Sequence, residues 1–201
     1  NALYPLRIIG LNQDTRSDGQ GMAGLTFMFM KPVLRSTYVA SGENGNFGWS
    51  ESSICKNISA GGALAPSVKE KAIAVTKRAL NANNTVANIL TTGDTCFILS
   101  MFELGGDWSL AYGGDTGSGI LGVGKDRNEL YLHFQSLGMK IGAGGASNMP
   151  LLKSLGLSDN WLRDRVVLDG NLRIGYIIET GELWGAPGGD AQHVFTPCFC
   201  L

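Results

Sequence analysis

Asp18-Gly19-Gln20-Gly21-Met22-Ala23-Gly24 runs directly into Leu25-Thr26-Phe27-Met28-Phe29-Met30, and this stretch decides the fold class. The glycines and the polar residues before them suit a tight turn. The apolar run that follows is largely apolar on both alternating faces, as a strand covered on both sides requires. The letters Gly19-x-Gly21-x-x-Gly24 match a dinucleotide fingerprint, but that fingerprint works only between a strand and a helix whose N-terminus meets a pyrophosphate. Here the polar loop Thr15-Arg16-Ser17-Asp18 precedes it and a strand follows it. The stretch reads as a turn leading into a core strand.

Working outward, further strands are expected at Leu6 to Ile9, Cys96 to Ser100, Glu129 to Phe134, Val166 to Leu168, Arg173 to Glu179 and Val194 to Cys200, the last inside a sheet. A helix is expected to begin at Pro66-Ser67 and run through Val68, Ala72, Ile73, Val75, Thr76 and Leu80, with Lys69, Glu70, Lys71, Lys77 and Arg78 on its outer side. A shorter helix follows Trp49, with Ser50 as its cap and Ile54 and Ile58 on its buried face. The 29 glycines follow no fixed period, so they mark irregular loops, above all between Gly105 and Gly145. The expected architecture is α+β: a small twisted, mostly antiparallel sheet with two helices and long glycine-rich loops. One domain over residues 1–201 is expected, with 1–17 as a connection to an upstream region, since a chain starting at Asn1 reads as cut or processed.

Composition narrows the function classes. Hydrophobic residues make up 44% and charged residues 16%, enough burial for a globular core. Sixteen basic and 17 acidic residues leave a formal charge of -1, and no window clusters Lys and Arg as a nucleic-acid surface would need. No apolar run approaches the roughly 20 residues of a membrane helix, so membrane insertion is not expected. Cys55, Cys96, Cys198 and Cys200 lack zinc-site spacing and read as reduced core residues, and no cofactor or metal is expected.

Chemical motifs are sparse. Asp115-Thr116-Gly117-Ser118 has the letters of an aspartic-protease loop, but only one copy is present and no apolar strand feeds it. His133 and His193 stand far apart without an acid or cysteine at metal-ligand spacing, and no GxSxG elbow or cysteine-nucleophile signature accompanies them. Glu103, Asp107, Asp115 and Asp126 show no pairing of the kind a glycosidase needs.

Several segments together resemble a family of C-terminal domains in phage tail and bacterial surface proteins. Asp18 to Phe27 is similar to the family's DGxGxAGLTF strand, and Gly48-Trp49-Ser50-Glu51-Ser52-Ser53-Ile54-Cys55 to its GWxxSxMR helix start, with Cys55 where an arginine is usual. The stretch from Pro66 to Lys77 and then Thr91-Thr92-Gly93-Asp94-Thr95-Cys96-Phe97-Ile98-Leu99-Ser100 follows the family's order and spacing. Asn160-Trp161-Leu162-Arg163-Asp164 is similar to its WWLRSP motif, and Pro197-Cys198-Phe199-Cys200-Leu201 to its terminal PAFCL.

The resemblance implies a domain closed at its own C-terminus and similar to C-type-lectin-like folds, with no catalytic activity. It implies a receptor-recognition or adhesion module on a virion surface or outside the cell, binding host carbohydrate or protein. The alternative is a structural decoration or fibre cap that binds only other virion proteins. A fibre context further implies a homo-oligomer, a trimer. Trp108, Tyr112, Asp115, Trp184, Asp190 and Gln192 are the candidate ligand contacts, because aromatic and polar side chains in loops suit sugars and polar protein surfaces. Trp49, Trp161, Arg163 and Pro197 are expected to be scaffold, with Arg163 packed near an aromatic ring in the core.

Overall fold

A computed structural model of the chain describes residues 3–39, 48–82, 87–105, 129–140, 149–168, 171–181, 183–187 and 192–201. In chain order the strands are β1 (Leu6–Leu11), β2 (Leu25–Phe29), β3 (Leu34–Thr37), β4 (Val75–Ala82), β5 (Ala87–Asp94), β6 (Cys96–Phe97), β7 (Asn160–Leu168), β8 (Asn171–Ile177), β9 (Leu183–Pro187), β10 (Gln192–Phe195) and β11 (Cys198–Cys200). Four short α-helices accompany them among the described residues: α1 (Ser53–Ile58), α2 (Pro66–Lys69), α3 (Leu132–Ser136) and α4 (Met149–Ser154). The class is α+β. The strands form two sheets of four and seven strands, however, where one small sheet was expected.

The first sheet has the order β1-β2-β11-β6, antiparallel throughout. Its entrance is the glycine turn: Gly19 and Gly21 take positive φ of 75° and 90°, and Arg16 N–H donates to the Gly21 carbonyl at 2.9 Å. A side chain at either position would be strained there, which is why the turn is built from glycine. Along β2, Thr26 and Met28 are buried on one face, and Phe27 stacks on Phe199 across β11 on the other, with centroids 5.3 Å apart. Both faces are thus covered, as the apolar run requires.

The apolar run from Val194 to Cys200 was expected to be one strand and is two. β10 belongs to the second sheet and β11 lies between β2 and β6 in the first. Pro197 has no N–H to give a ladder, and Thr196 bonds Asn160 Oδ1 at 2.6 Å, so the chain crosses between sheets there.

The second sheet has the order β3-β10-β7-β4-β5, with β8 paired to β7 and β9 to β8. Its largest departure from expectation is β4. The helix begun at Pro66 ends at Lys69, and Val75 to Ala82 pair residue by residue with β5. Val75, Lys77 and Ala79 are buried at period two, which the helical reading missed by assigning Lys77 to a solvated face. The strand expected from Glu129 to Phe134 is replaced by α3, in which Phe134 is buried and Leu132 exposed, with the buried Tyr131 as the extended residue just before it. The cap of α1 is Ser52, whose hydroxyl accepts from Cys55 N–H at 3.0 Å, rather than Ser50; Ile54 and Ile58 are buried.

Candidate functional site

Lys77 is the point at which the elements converge. β4 turns its side chain inward, where Nζ lies 2.5 Å from Asp14 Oδ1, 2.6 Å from Glu103 Oε1 and 2.9 Å from the Tyr131 hydroxyl. Its ammonium also sits 4.0 Å from the centre of the Phe97 ring. Asp14 comes from the segment between β1 and β2, Tyr131 from the residue before α3, and Glu103 from a 3-10 turn (Phe102–Leu104) whose Gly105 cap closes it with φ 74°. Arg163 of β7 completes the group: Nη2 is 2.6 Å from Glu103 Oε1, and Nε donates to the Arg78 carbonyl at 2.9 Å.

Both carboxylates are fully engaged. Asp14 accepts from Lys77, from the Tyr131 hydroxyl at 3.0 Å on both oxygens, and from the Thr26 hydroxyl. Glu103 Oε2 accepts from Ser100 N–H at 2.9 Å. Burial works to raise the Asp14 and Glu103 pKa values, but the cations beside them, Lys77 for Asp14 and Arg163 and Lys77 for Glu103, outweigh it and hold both below the ordinary carboxylate range. Burial likewise opposes charge on Lys77, yet Glu103 and Asp14 carry its pKa upward. Burial, then the charges of Glu103 and Asp14, push the Tyr131 phenol well above its usual value, so it remains a hydrogen-bond donor. The group carries two charges of each sign and is neutral as a whole.

Above this floor opens a cavity of ≈ 470 Å³. Its edge is formed by Asn12, Gln13, Thr15, Thr76, Arg78 and Glu129, all exposed or half-buried. Arg78 and Glu129 form an ion pair across it, and Gln13 Oε1 accepts from Leu132 N–H at 2.9 Å. The floor is fixed and the edge offers amides, hydroxyls and charged groups to a solute.

The residues singled out by sequence fall elsewhere. Trp108, Tyr112, Asp115 and Asp190 lie outside the described residues. Trp184 was expected in a glycine loop with little core beside it, but it lies in β9, opposite Tyr176 of β8. The glycines are consistent with this hairpin: Gly181 turns at φ 93°, and Gly175 faces Gly185 where an added Cβ would meet Met101 Sδ at 2.9 Å. Gln192 is likewise no loop residue; it is exposed at the start of β10, opposite Thr37, and its carbonyl accepts from Arg35 at 2.7 Å.

Trp49, Trp161 and Arg163 are closed to solvent. Trp49 Nε1 donates to Asp94 at 2.7 Å and Trp161 Nε1 to the Ser36 carbonyl at 2.9 Å. The guanidinium of Arg163 lies 5.7 Å from the Phe97 ring. The carbonyl of Pro197 accepts from Phe29 N–H at 3.0 Å.

Folding also gives His193 an acid that the sequence did not show. Its Nδ1 contacts Asp159, which Arg35 holds at 2.7 Å from the other side, and its ring packs on Trp161 and Tyr176. This pair is not part of the cavity wall. All four cysteines are free and buried; burial pushes the Cys55 thiol up to about 11 and the Cys96 and Cys200 thiols up to about 12. Among the described residues no group of three or more His, Cys, Asp and Glu is arranged to hold a metal ion.

Asp14, Lys77 and Tyr131 were not found from sequence. The one available signal was the period-two spacing of Val75, Lys77 and Ala79; Asp14 sits in a polar stretch that gives no hint of burial. No family model, no curated protein and no solved structure matches this chain.

Proposed function

We propose that the chain is a non-enzymatic receptor-recognition or adhesion domain of a phage fibre, tail or related surface protein. On this reading it binds host carbohydrate or protein groups in the cavity edged by Asn12, Gln13, Thr15, Thr76, Arg78 and Glu129. The observation that carries it is the contrast between an ion-paired, neutral floor and a polar edge. A hydrolase acting on an outside substrate keeps an acid or base poised to exchange protons with it, whereas Asp14, Glu103, Lys77 and Arg163 satisfy one another. A preorganised polar surface over such a floor suits binding without turnover.

The finer fold we propose is C-type-lectin-like, supported by β11 seated between β2 and β6 and by the buried Trp161-Leu162-Arg163 strand. The location that goes with it is the virion surface or the extracellular space, as a homo-oligomer, a trimer. Adsorption of the purified chain to host cells, and its binding to an array of bacterial surface glycans, test the reading; loss of both in Asn12→Gly and Arg78→Ala chains that melt like the parent is the expected result, glycine being chosen because Asn12 has φ 49°.

A second reading has its own support. Leu6, Ile8 and Leu11 are 41%, 50% and 57% exposed on β1, the edge strand of the first sheet, a surface suited to a neighbouring virion protein. A structural module of this kind would lose assembly in Ile8→Lys and keep it in Arg78→Ala.

A further inference from the structure

The Lys77 group contains every component of an amide-forming reaction. An amine nitrogen, 2.5 Å from a carboxylate oxygen, is held there by buried elements on both sides: Lys77 is 4% exposed and Asp14 6%. Fixed contact of this kind supplies effective concentrations of about 10⁵ to 10⁸ M for reactions between neighbouring groups. A second carboxylate, Glu103, touches the same nitrogen at 2.6 Å and is held in place by Arg163. Two hydroxyls, Tyr131 and Thr26, donate to the Asp14 oxygens, the atoms on which negative charge would grow during attack at Cγ.

We propose that Lys77 and Asp14 condense into an intramolecular isopeptide bond, Lys77 Nζ to Asp14 Cγ, with Glu103 carrying the protons. The ammonium gives one proton to Glu103, and the freed amine attacks Asp14 Cγ. Tyr131 and Thr26 stabilise the tetrahedral oxyanion. Glu103 passes its proton to the departing oxygen, collects a second from nitrogen and delivers that as well. One C–N bond forms, one C–O bond breaks and one water leaves; Glu103 ends as it began, and nothing is oxidised or reduced. Asp14, Lys77 and Glu103 all line the cavity, which gives the water its way out.

The electrostatics favour the product. Before condensation the buried group holds two anions and two cations; afterwards Glu103 and Arg163 remain as a matched pair and the Lys77–Asp14 charges are replaced by a neutral amide. The network is neutral in both states, and the desolvation cost of one buried ion pair disappears. The amide would join β4 of the second sheet to the segment between β1 and β2 of the first, a covalent strap across the molecule. The reaction turns over no outside substrate and is independent of what the cavity binds.

Intact-mass measurement of the denatured wild-type chain decides the matter. The expected mass is one water, about 18 Da, below that of the sequence, with fragmentation locating the link between the peptides of Asp14 and Lys77. A full sequence mass overturns the proposal, and so does a water loss that maps to a succinimide at Asp18-Gly19. The Asp14→Asn chain, nearly the same in shape, is expected to lose ammonia, about 17 Da, instead. Lys77→Arg and Glu103→Gln chains are expected to keep their full mass, and a water loss between residues 14 and 77 in the Glu103→Gln chain contradicts the role given to Glu103.

Discussion

Arg163 Nη2 lies 2.6 Å from Glu103 Oε1, and neither side chain is open to solvent. The contact is one of charge more than of alignment, since this nitrogen makes no well-angled hydrogen bond, while Nε and Nη1 of the same guanidinium donate to the Arg78 and Ile98 carbonyls. Arg163→Met would strip Glu103 of one counter-charge and leave both carbonyls without these donors. Breaking a buried pair from one side costs about 3–5 kcal/mol, so the variant is expected to lose a large share of the stability of an ordinary domain. Urea unfolding measures it; a midpoint within error of wild type would remove the pair from the account.

Asp164, beside it on β7, behaves in the opposite way. Burial drives its pKa up to about 6, against the Arg163 charge and hydrogen bonds from Met101 N–H at 2.6 Å and Leu80 N–H at 2.9 Å. A carboxyl whose folded pKa exceeds its unfolded one binds more protons when folded, so its contribution to stability falls as pH rises from about 4 to about 6. Asp164→Asn places an amide donor against a backbone donor and is expected to cost about 1–3 kcal/mol. Because the asparagine does not titrate, the deficit against wild type should be largest near pH 4 and narrow above pH 6. Thermal melts of both chains across that range show it, and a deficit that widens with pH contradicts the assignment.

The three-residue strand β11 has a disproportionate role because it pairs with β2 on one side and β6 on the other, and Leu25 and Leu201 exchange both backbone hydrogen bonds at 3.0 Å. Deleting Pro197 to Leu201 should therefore prevent soluble folding, although chain ends usually tolerate deletion. A truncated chain with a cooperative melt would refute this.

Much of this was legible in the sequence. The glycine turn, the doubly covered β2 and the inner position of the last strand follow from local pattern and composition, whereas the burial of Trp49, Trp161 and Arg163 was expected from the motifs in which they stand. What was not legible was non-local. Lys77 looks solvated in any local window, because a buried lysine is explained only by Asp14, 63 positions away, and by Glu103 and Tyr131. Val75 to Leu80 suits helix and strand periods alike until β5 supplies a partner, and Trp184 looks stranded among glycines until β8 does.

Trp161 and Trp184 are expected to separate stability from binding. Trp161 contacts Tyr38, Tyr176 and His193 at ring-centre distances of 5.6, 6.2 and 4.6 Å, and Trp161→Ala should cost about 3–5 kcal/mol. Trp184→Ala, on the terminal strand of the β7-β8-β9 branch, is expected to weaken adsorption to host cells with a smaller loss of melting temperature. If Trp184→Ala melts as low as Trp161→Ala, Trp184 is scaffold.

The most direct test of the binding account is titration of the purified chain and its Arg78→Ala variant against the glycans that retain wild type on a bacterial surface-glycan array. Arg78 stands at the cavity edge and outside the buried Lys77 group, so the account predicts at least about a tenfold loss of affinity, roughly 1.4 kcal/mol, with an unchanged melting temperature. Equal affinity in the two chains, or no glycan retained by wild type alongside undiminished adsorption of both chains to host cells, would contradict the placement of recognition at this cavity.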